Sequence, residues 1–448
     1  MISSFRDPDG YMVQREDGIY RVINESYRDD YNLLMKTGLY DKLTEDNLLI
    51  AHEEVFGAYK NDKVFRSAYK VLKPVQIPYI SYPYEWCFSQ LKDAAILTLK
   101  IQRIALEYGM SLKDASAYNI QFFKCKPIFI DTLSFERWKE TPWIAYGQFC
   151  RHFLAPLALM SYKDVRLSQL LRIYIDGIPL DLASELLPFK THWNFFLEMN
   201  LHWQAKAQKV QMKNNKIIKE PKFSLNSLLN VIASLESCVK GLKWRPEGEW
   251  IDYVDCNNYS PKAIPDKRRI VRSFLDKINP KIVWDLGGNT GDFSIKARDD
   301  EVQHICFDMD YSCVELCYLR HDVSILPLVM DFTNPSSSIG WDDEERMSFG
   351  ERGKADVVMA LALIHHLAIS NHLSFPMIAK FMAKFCKHLI IEFVPKNDSQ
   401  IKKLTTRSIP SYTQDNFEKE FSGYFKIEQK IQIKDSERWM YLMEKNSV

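Results

Sequence analysis

Long apolar runs are absent from the 448 residues of this sequence. No stretch approaches the roughly 18 to 20 uncharged apolar residues that a bilayer-spanning helix needs. The first ten residues, MISSFRDPDG, contain two acidic residues and no apolar core like that of a secretory leader. We therefore expect a cytoplasmic protein without a membrane span.

An excess of either charge is also missing. The 59 Lys and Arg residues nearly balance the 58 Asp and Glu residues, for a formal net charge of +1. A balanced chain has no global field that favours nucleic acid or an anionic membrane, so we expect no nucleic-acid partner. The nine cysteines include no CxxC pair. Cys313 and Cys317 lie one helical turn apart without a matching pair, which favours buried reduced thiols over a zinc site.

The length exceeds one compact core and predicts two domains. Residues 1–200 form a predicted α+β domain, in which DGYMVQREDGIYRVI reads as a hairpin turning at residues 16–18 and WCFSQLKDAAILTLKIQRIALEYGM as a helix. Residues 201–266 form a predicted helical connector. Its basic run KAQKVQMKNNKIIKEPKF has a single terminal aromatic, which indicates a solvated face and not a nucleic-acid patch.

Residues 267–448 alternate between short apolar runs and helical or polar stretches, a pattern typical of a parallel sheet with crossover helices. The predicted strands are KIVWDLG, HICFDMD, LPLVMDF, ADVVMALAL, HLIIEFV, YFKIEQKIQI and RWMYLMEK. Only KDSE separates the last two, which is too short for a crossover, so they should form an antiparallel hairpin. The expected fold class is α/β, with a Rossmann-like seven-stranded domain after the α+β domain.

The stretch VWDLGGNTGDFS reads as a buried strand, a glycine turn and a helix. Asp285 stands two residues before Gly287, where a nicotinamide-binding turn normally has apolar residues. A buried carboxylate there needs a cationic partner. Taken alone, a glycine-rich turn is also compatible with a tight connection that binds no ligand.

The turn DLGGNTG resembles motif I of class I S-adenosylmethionine-dependent methyltransferases, and FDMD, VMDF and LALIHHL follow at the spacings of that family. The stretches WDLGGNTGDFS, ALALIHHL and IIEFVPKND most resemble a bacterial branch similar to rhizobial nodulation host-specificity proteins. The amino-terminal stretches YPYEWCFSQLKDAA and LKDASAYNIQFFKCKPIFIDTLSFE resemble the same branch, so the resemblance covers nearly the whole chain.

This resemblance implies a methyltransferase that uses S-adenosylmethionine. In motif I, Gly287, Gly288 and Gly291 would let the backbone approach the ligand, and Asp285 would orient its amino acid end. Asn289 replaces the central glycine of the family. Asn tolerates positive φ better than other non-glycine residues, so we expect the turn to form.

The resemblance also assigns cofactor residues to the following strands. Asp308 would accept hydrogen bonds from both ribose hydroxyls, while Asp310 either substitutes for it or lies outside the site. Asp331 and Phe332 would contact the adenine, the alternative for Asp331 being a helix cap. Ala362, at the end of the fourth predicted strand, completes the predicted set.

His365 or His366 is the candidate general base, the other being structural. The sequence lacks the Asn/Asp-Pro-Pro-Tyr/Phe motif of amide and adenine methyltransferases and the Pro-Cys nucleophile of cytosine C5 enzymes, which argues against base methylation. Glu392 is an isolated acidic residue, so we predict no metal. O- or N-methylation of a small molecule or saccharide is favoured, and the sequence does not identify the acceptor or the oligomeric state.

The first half contains a second pattern. Asp114 and Asn119 are five residues apart and Asp131 follows an apolar strand, as in the D-x-x-x-x-N then D arrangement of protein and aminoglycoside kinases. The usual His is replaced by Leu112, and neither the DFG glycine nor a phosphate loop is present. This favours a kinase-like lobe used as a scaffold or acceptor-binding domain. The equally weighted alternative is a helix cap at Asp114 and a strand end at Asp131.

Two other functions stay open at this point: a phosphotransferase carried by the first half, and a non-catalytic protein that keeps the cofactor fold for binding only. In the favoured interpretation, the first half and the segment around Trp250, Tyr253 and Tyr259 close over the acceptor.

Overall fold

A computed structural model describes residues 2–55, 64–66, 68–214, 222–248, 260, 262–297, 302–398, 401 and 410–447. The chain forms two compact units: Met1–Trp244 with Ser338–Arg346, and Arg245–Ser337 with Met347–Val448. The first unit therefore extends beyond the predicted boundary at residue 200 and includes helices that we assigned to a connector over 201–266. The segment around Trp250, Tyr253 and Tyr259 lies outside the described residues.

The first unit begins with an antiparallel five-stranded sheet of order β1-β2-β3-β5-β4. Glu16 and Asp17 connect β2 to β3, and Gly18 opens β3 with a φ of +135°, as the hairpin pattern predicts. The strands of this unit are β1 (Ile2–Ser3), β2 (Gly10–Arg15), β3 (Gly18–Ile23), β4 (His52–Glu54), β5 (Lys70–Pro74), β6 (Met110–Leu112), β7 (Ile120–Phe123), β8 (Lys126–Phe129) and β9 (Phe135–Arg137).

The helices of the first unit are mostly short. They are α1 (Arg28–Lys36), α2 (Leu39–Glu45), α3 (Phe88–Glu107), α4 (Tyr146–Phe149), α5 (Ala155–Tyr162), α6 (Leu170–Ile173), α7 (Leu180–Leu186), α8 (Phe195–Leu197), α9 (Trp203–Asn214) and α10 (Leu225–Gly241). π-helical turns, Cys150–Leu154 and Glu198–His202, join α4 to α5 and α8 to α9. The predicted long helix is confirmed as α3.

Helix α3 positions the strand that leads into the kinase-like pattern. Leu91, Ala95, Thr98 and Gln102 fall on one buried face at helical spacing. The Gln102 side-chain carbonyl accepts a hydrogen bond from the Leu112 amide at 2.7 Å and so fixes β6. Strand β6 pairs antiparallel with β9, and β7 pairs with β8 as a hairpin between them.

The second unit is built on a seven-stranded sheet of order β12-β11-β10-β13-β14-β16-β15. Its strands are β10 (Ile282–Leu286), β11 (Gln303–Asp308), β12 (Ile325–Val329), β13 (Ala355–Ala360), β14 (Cys386–Phe393), β15 (Phe425–Gln432) and β16 (Trp439–Lys445). The first five are parallel, and β16 runs antiparallel between β14 and β15. All seven predicted strands and the terminal hairpin are confirmed.

Helices cover this sheet and bury apolar side chains against it. They are α11 (Ala263–Ile278), α12 (Asp292–Ala297), α13 (Tyr311–Leu319), α14 (Phe375–Met382) and α15 (Gln414–Ser422). Ile270 and Phe274 of α11 lie in one buried cluster with Val283, Val357 and Ile390 of the central strands. Each buried side chain of this size contributes roughly 1.5 to 3 kcal/mol. The parallel strands bring the residues after β10 to β13 to one edge of the sheet.

The eight described cysteines are buried and free. A search of the described helices found none whose length and apolar character would let it cross a bilayer.

Candidate functional site

The glycine turn between β10 and α12 is held by backbone hydrogen bonds to the end of β11. The amides of Gly287 and Gly288 both donate to the Phe307 carbonyl, at 2.8 and 3.0 Å. Gly287 and Gly291 have φ values of +72° and +77°, and Asn289 has a φ of +52°. Asn289 therefore adopts the left-handed conformation that we expected it to tolerate in place of the family's glycine.

Packing inside the domain is a further reason for glycine in this turn. A Cβ at Gly288 would lie 2.4 Å from the Cys306 sulfur and 2.9 Å from Oδ2 of Asp285. A Cβ at Gly291 would lie 2.6 Å from the Cys317 sulfur. The turn thus packs directly against β11 and α13. From the sequence we had explained these glycines only by the close approach of a ligand.

Asp285, in β10, is 1% exposed, and burial raises the pKa of its carboxyl to about 6. The Ser294 hydroxyl donates to its Oδ2 at 2.7 Å, whereas Oδ1 has no hydrogen-bond partner within the described part of the chain. A buried carboxylate oxygen without a donor is costly. A cationic ligand group would satisfy it, so this residue fits the ammonium of a methionyl ligand.

Asp308 ends β11 beside the turn, and burial raises the pKa of its carboxyl to about 6. Its oxygens accept hydrogen bonds from the Asn289 amide at 2.8 Å and the Asp310 amide at 2.9 Å. Asp310 is the N-cap of α13, where its side chain accepts from the Ser312 and Cys313 amides. Of the two carboxylates, Asp308 is the one that is hydrogen-bonded to the glycine turn.

Asp331 and Phe332 follow β12. The Asp331 carboxylate accepts from the amide and hydroxyl of Thr333, at 2.8 and 2.7 Å, and so closes a local turn and does not cap a helix. The half-buried Phe332 ring packs edge-on against Phe307 and Phe349, with centroids 5.7 and 5.6 Å away. Both residues lie at the predicted sheet edge, and their contact with adenine stays a prediction.

The segment after β13 is strained at Ala362, whose φ is +51°. A non-glycine residue without a polar side chain rarely adopts this conformation, and such residues concentrate at ligand sites. A Cβ placed on Gly287 would lie 3.2 Å from the Cδ1 atom of the neighbouring residue Leu363. The strained segment therefore packs against the glycine turn, at the predicted cofactor edge.

The two adjacent histidines have different environments. His365 is 2% exposed, and burial lowers the pKa of its imidazole to about 3. His366 is half-buried, and burial lowers its pKa as well. Their rings lie 4.2 Å apart. Both imidazoles are neutral at physiological pH, and His366 is the more accessible of the two.

A buried charge network was not anticipated from the sequence. Glu392, 0% exposed, forms ion pairs with the Lys267 ammonium at 2.7 Å and with the Arg438 guanidinium at 3.4 Å. Arg438 also pairs with Asp398 at 2.7 Å. Lys267 stands among other charged residues of an amphipathic helix, and no local pattern marks it as buried. Glu392, predicted not to bind a metal, is held by two cations.

Comparison with curated proteins gives one relative over the full length. Nodulation protein NoeA of Rhizobium meliloti (strain 1021) is 31% identical over 461 residues, which cover 99% of this chain and 95% of that protein. The chain belongs to the NoeA family. No protein-family model matches it.

Solved structures similar to this NoeA family member include methyltransferases. N-methyltransferase NodS from Bradyrhizobium japonicum WM9 is 9% identical with a TM-score of 0.33, over 42% of this chain and 99% of that one. Magnesium protoporphyrin IX methyltransferase ChlM from Synechocystis PCC 6803, with bound SAH, is 15% identical with a TM-score of 0.31, over 41% of this chain and 86% of that one.

The strand order of the second unit, with β16 antiparallel between β14 and β15, is that of the class I methyltransferase fold. The carboxy-terminal unit of this NoeA family member thus has the topology of a class I methyltransferase domain.

The first unit brings the kinase-like residues together. Asp114, Asn119 and Asp131 all line one cavity of about 720 Å³. Burial raises the pKa of Asp114, whose carboxyl accepts a hydrogen bond from the Ser116 amide at 2.8 Å. Asp131 forms an ion pair with Arg21 of β3 and also caps the turn at Leu133. In this structure Asp131 therefore already has a cationic partner.

The first unit also gathers one group with metal-ligand chemistry that the sequence analysis missed. His192, Glu198 and His202 place ligand atoms within 4.8 Å of one another. The two imidazoles are stacked with centroids 3.9 Å apart, and both His202 nitrogens contact hydroxyls, of Ser184 and Thr191. Stacked rings do not direct their nitrogens at a common ion, so this group fits a polar core cluster better than a metal site.

Proposed function

We propose that the chain transfers the methyl group of S-adenosylmethionine to an oxygen or nitrogen of a small-molecule or saccharide acceptor. The observation that carries this proposal is Asp285, a buried carboxylate beneath the glycine turn with one oxygen lacking a donor in the described structure. A ligand that brings an ammonium to this turn would remove the cost of that oxygen.

Other residues would hold the remainder of the cofactor. Asp308 would accept hydrogen bonds from the ribose hydroxyls, because its carboxylate lies beside the turn and is oriented by two backbone amides. Asp331 and Phe332 would face the adenine. Ala362 would contact the ligand through its backbone, for which its strained conformation is the supporting observation.

S-adenosylmethionine supplies a methyl group on a sulfonium, which is already a good leaving group. The chain would contribute positioning of the acceptor and exclusion of water. His366 is the proposed base, because it is neutral and more accessible than His365. It would accelerate transfer by roughly 10²-fold or more only when the acceptor must lose a proton.

We assign recognition of the acceptor to the amino-terminal unit. Its cavity of about 720 Å³ has the size of a small-molecule site and is lined largely by polar and charged side chains. The carboxylates there suit hydroxyl groups of a saccharide or similar acceptor.

A transfer assay tests the proposed function. The purified full-length chain is incubated with S-adenosylmethionine labelled in its methyl group and with small-molecule extract, and labelled products are identified by mass spectrometry. We expect one labelled product class that disappears with the Asp308→Ala variant. A variant of Asp322, which lies in a turn before β12 away from the glycine turn, serves as the matched control. Cofactor binding without any labelled product in extract would favour a non-catalytic binding protein.

A phosphotransferase is the second candidate, because Asp114, Asn119 and Asp131 line one cavity. We favour it less because Asp131, the carboxylate that would hold a magnesium ion, is already paired with the Arg21 guanidinium. Magnesium-dependent ATP hydrolysis by the intact protein, abolished by Asp131→Ala, would support this function against the first.

A further inference from the structure

The cavity of the first unit is lined by five cationic side chains, but only three of them have carboxylate partners. Arg6 pairs with Asp176 and Glu345, Arg21 pairs with Asp131, and Lys113 pairs with Asp9. The other two cations, Arg151 and Arg346, form no ion pair with any residue that the structure describes.

The two unpaired arginines differ from exposed surface arginines in their surroundings. The Nε atoms of both are buried and have no hydrogen-bond partner among the described residues. The Arg346 guanidinium lies 4.2 Å from the centre of the Tyr118 ring, which fixes its plane at the cavity wall. Arg346 belongs to the first unit, although it lies between β12 and β13 in the sequence.

His152 provides an independent indication that a ligand belongs here. It lines the same cavity, is 2% exposed, and its Nδ1 has no partner in the described part of the unit. Burial, together with Arg151 and Arg346, lowers its pKa to about 3. A neutral imidazole can share a hydrogen bond with an anion that the arginines hold, but it cannot neutralise them.

Two further carboxylates line the cavity, and neither pairs with Arg151 or Arg346. Asp7 lies 4.0 Å from the Arg21 guanidinium. Asp114 forms no ion pair with a cation among the described residues, and its carboxyl accepts a hydrogen bond from the Ser116 amide at 2.8 Å. Burial and the nearby Asp131 carboxylate raise its pKa, which disfavours a negative charge there. The lining as a whole has six carboxylates and five cations, and Arg151 and Arg346 are the cations among them that no described carboxylate pairs.

We propose that this cavity binds a small molecule through a phosphate group held by Arg151 and Arg346, with His152 as an additional hydrogen-bond partner. Two guanidinium groups match phosphate because each presents parallel N–H donors to two oxygens. The opposite wall, with Asp114 and Asn119, suits the hydroxyl groups of the same molecule. This site is independent of the cofactor turn in the second unit.

Calorimetry on the intact protein in EDTA, with inorganic pyrophosphate and with ATP as separate probes, tests the proposal. We expect binding of at least one probe, and each of Arg151→Gln and Arg346→Gln should weaken it by at least about tenfold because a charge-assisted contact is lost. Equal affinities for both probes assign recognition to the phosphate alone, and tighter binding of ATP assigns it to a nucleotide. Both outcomes support the site.

The matched control is Arg166→Gln, since Arg166 is an exposed arginine of the same unit that pairs with Asp164 and does not line the cavity. Its affinity should equal that of the unaltered chain, and thermal unfolding confirms that each variant is folded. The proposal is overturned by three results: no binding of either probe at about 10 mM, equal displacement by sulfate, or binding that requires Mg²⁺ and is lost in Asp114→Asn.

Discussion

Asp285 combines two properties that rarely coexist without a function: complete burial and a carboxylate oxygen that no described group satisfies. Its raised pKa means that the folded state holds a proton more tightly than the unfolded state does. Its contribution to the stability of the unliganded protein is therefore present at low pH and lost as the pH rises from about 4 to about 6. A bound ligand ammonium would offset the free-energy cost of ionising the buried Asp285 carboxyl, because it stabilises the ionised form.

Binding of S-adenosylhomocysteine should consequently strengthen with pH. Asp285 must lose its proton to accept the ligand's ammonium, so the dissociation constant should fall about tenfold between about pH 5 and about pH 7. Calorimetry at several pH values measures this. In Asp285→Asn, which is nearly isosteric, binding should be weaker and its dependence on pH shallower, and Asp308, whose pKa is also raised to about 6, accounts for the part that remains. An undiminished pH dependence in that variant would assign the titration to a group other than Asp285.

Asp308→Ala should weaken cofactor binding by about 1.5 to 3 kcal/mol, because two hydroxyls lose a charged acceptor. Equilibrium binding of S-adenosylhomocysteine to both proteins gives the difference. Asp310→Asn is the control, since asparagine preserves the cap of α13 and Asp310 is not assigned to the ribose. An unchanged affinity in Asp308→Ala, with a loss in the control, would transfer the ribose contact to Asp310.

Among the elements, the connection from β10 to α12 is the most constrained. Gly288→Ala places a methyl group 2.4 Å from the Cys306 sulfur, so we expect a loss of about 1 to 3 kcal/mol in the free energy of unfolding. Chemical denaturation measures it. Cys306→Ala introduced with Gly288→Ala should restore part of the loss, because the closest atom is removed. Equal free energies of unfolding for Gly288→Ala and the unaltered chain would show that the turn relaxes without cost.

The strands of the second unit could be predicted because each is a short apolar run bounded by a turn, and KDSE left room only for a hairpin. The conformation of Asn289 could be predicted from its side chain. The contacts of Gly288 with Cys306 could not, because they depend on the pairing of β10 with β11 and not on any local pattern. For the same reason, the sequence around Lys267 does not predict its buried ion pair with Glu392.

For the whole molecule, the division at Trp244 was harder to predict than the fold of either unit. Helix α10 is amphipathic and polar enough to resemble a connector. However, its Glu236 forms an ion pair with Arg103 of α3, and a contact between residues 133 positions apart cannot be predicted from composition. The inclusion of Ser338–Arg346 in the first unit is equally non-local.

A fragment of residues 245–448 should bind S-adenosylhomocysteine with nearly the affinity of the full chain, since it contains all seven strands and every proposed cofactor residue. It should not methylate the acceptor, because we assign acceptor recognition to the first unit. Binding and transfer assays on the fragment and the full chain, compared side by side, test this. Transfer at the full rate by the fragment would contradict that assignment.

The central claim is that the turn at residues 285–291 holds S-adenosylmethionine, and titration calorimetry of the intact chain with S-adenosylhomocysteine tests it most directly. We expect one site with a dissociation constant in the micromolar range, or roughly −8 kcal/mol, and weaker binding in both Asp285→Asn and Asp308→Ala. Folded protein that shows no binding at about 1 mM ligand, or that binds equally well in both variants, would contradict it.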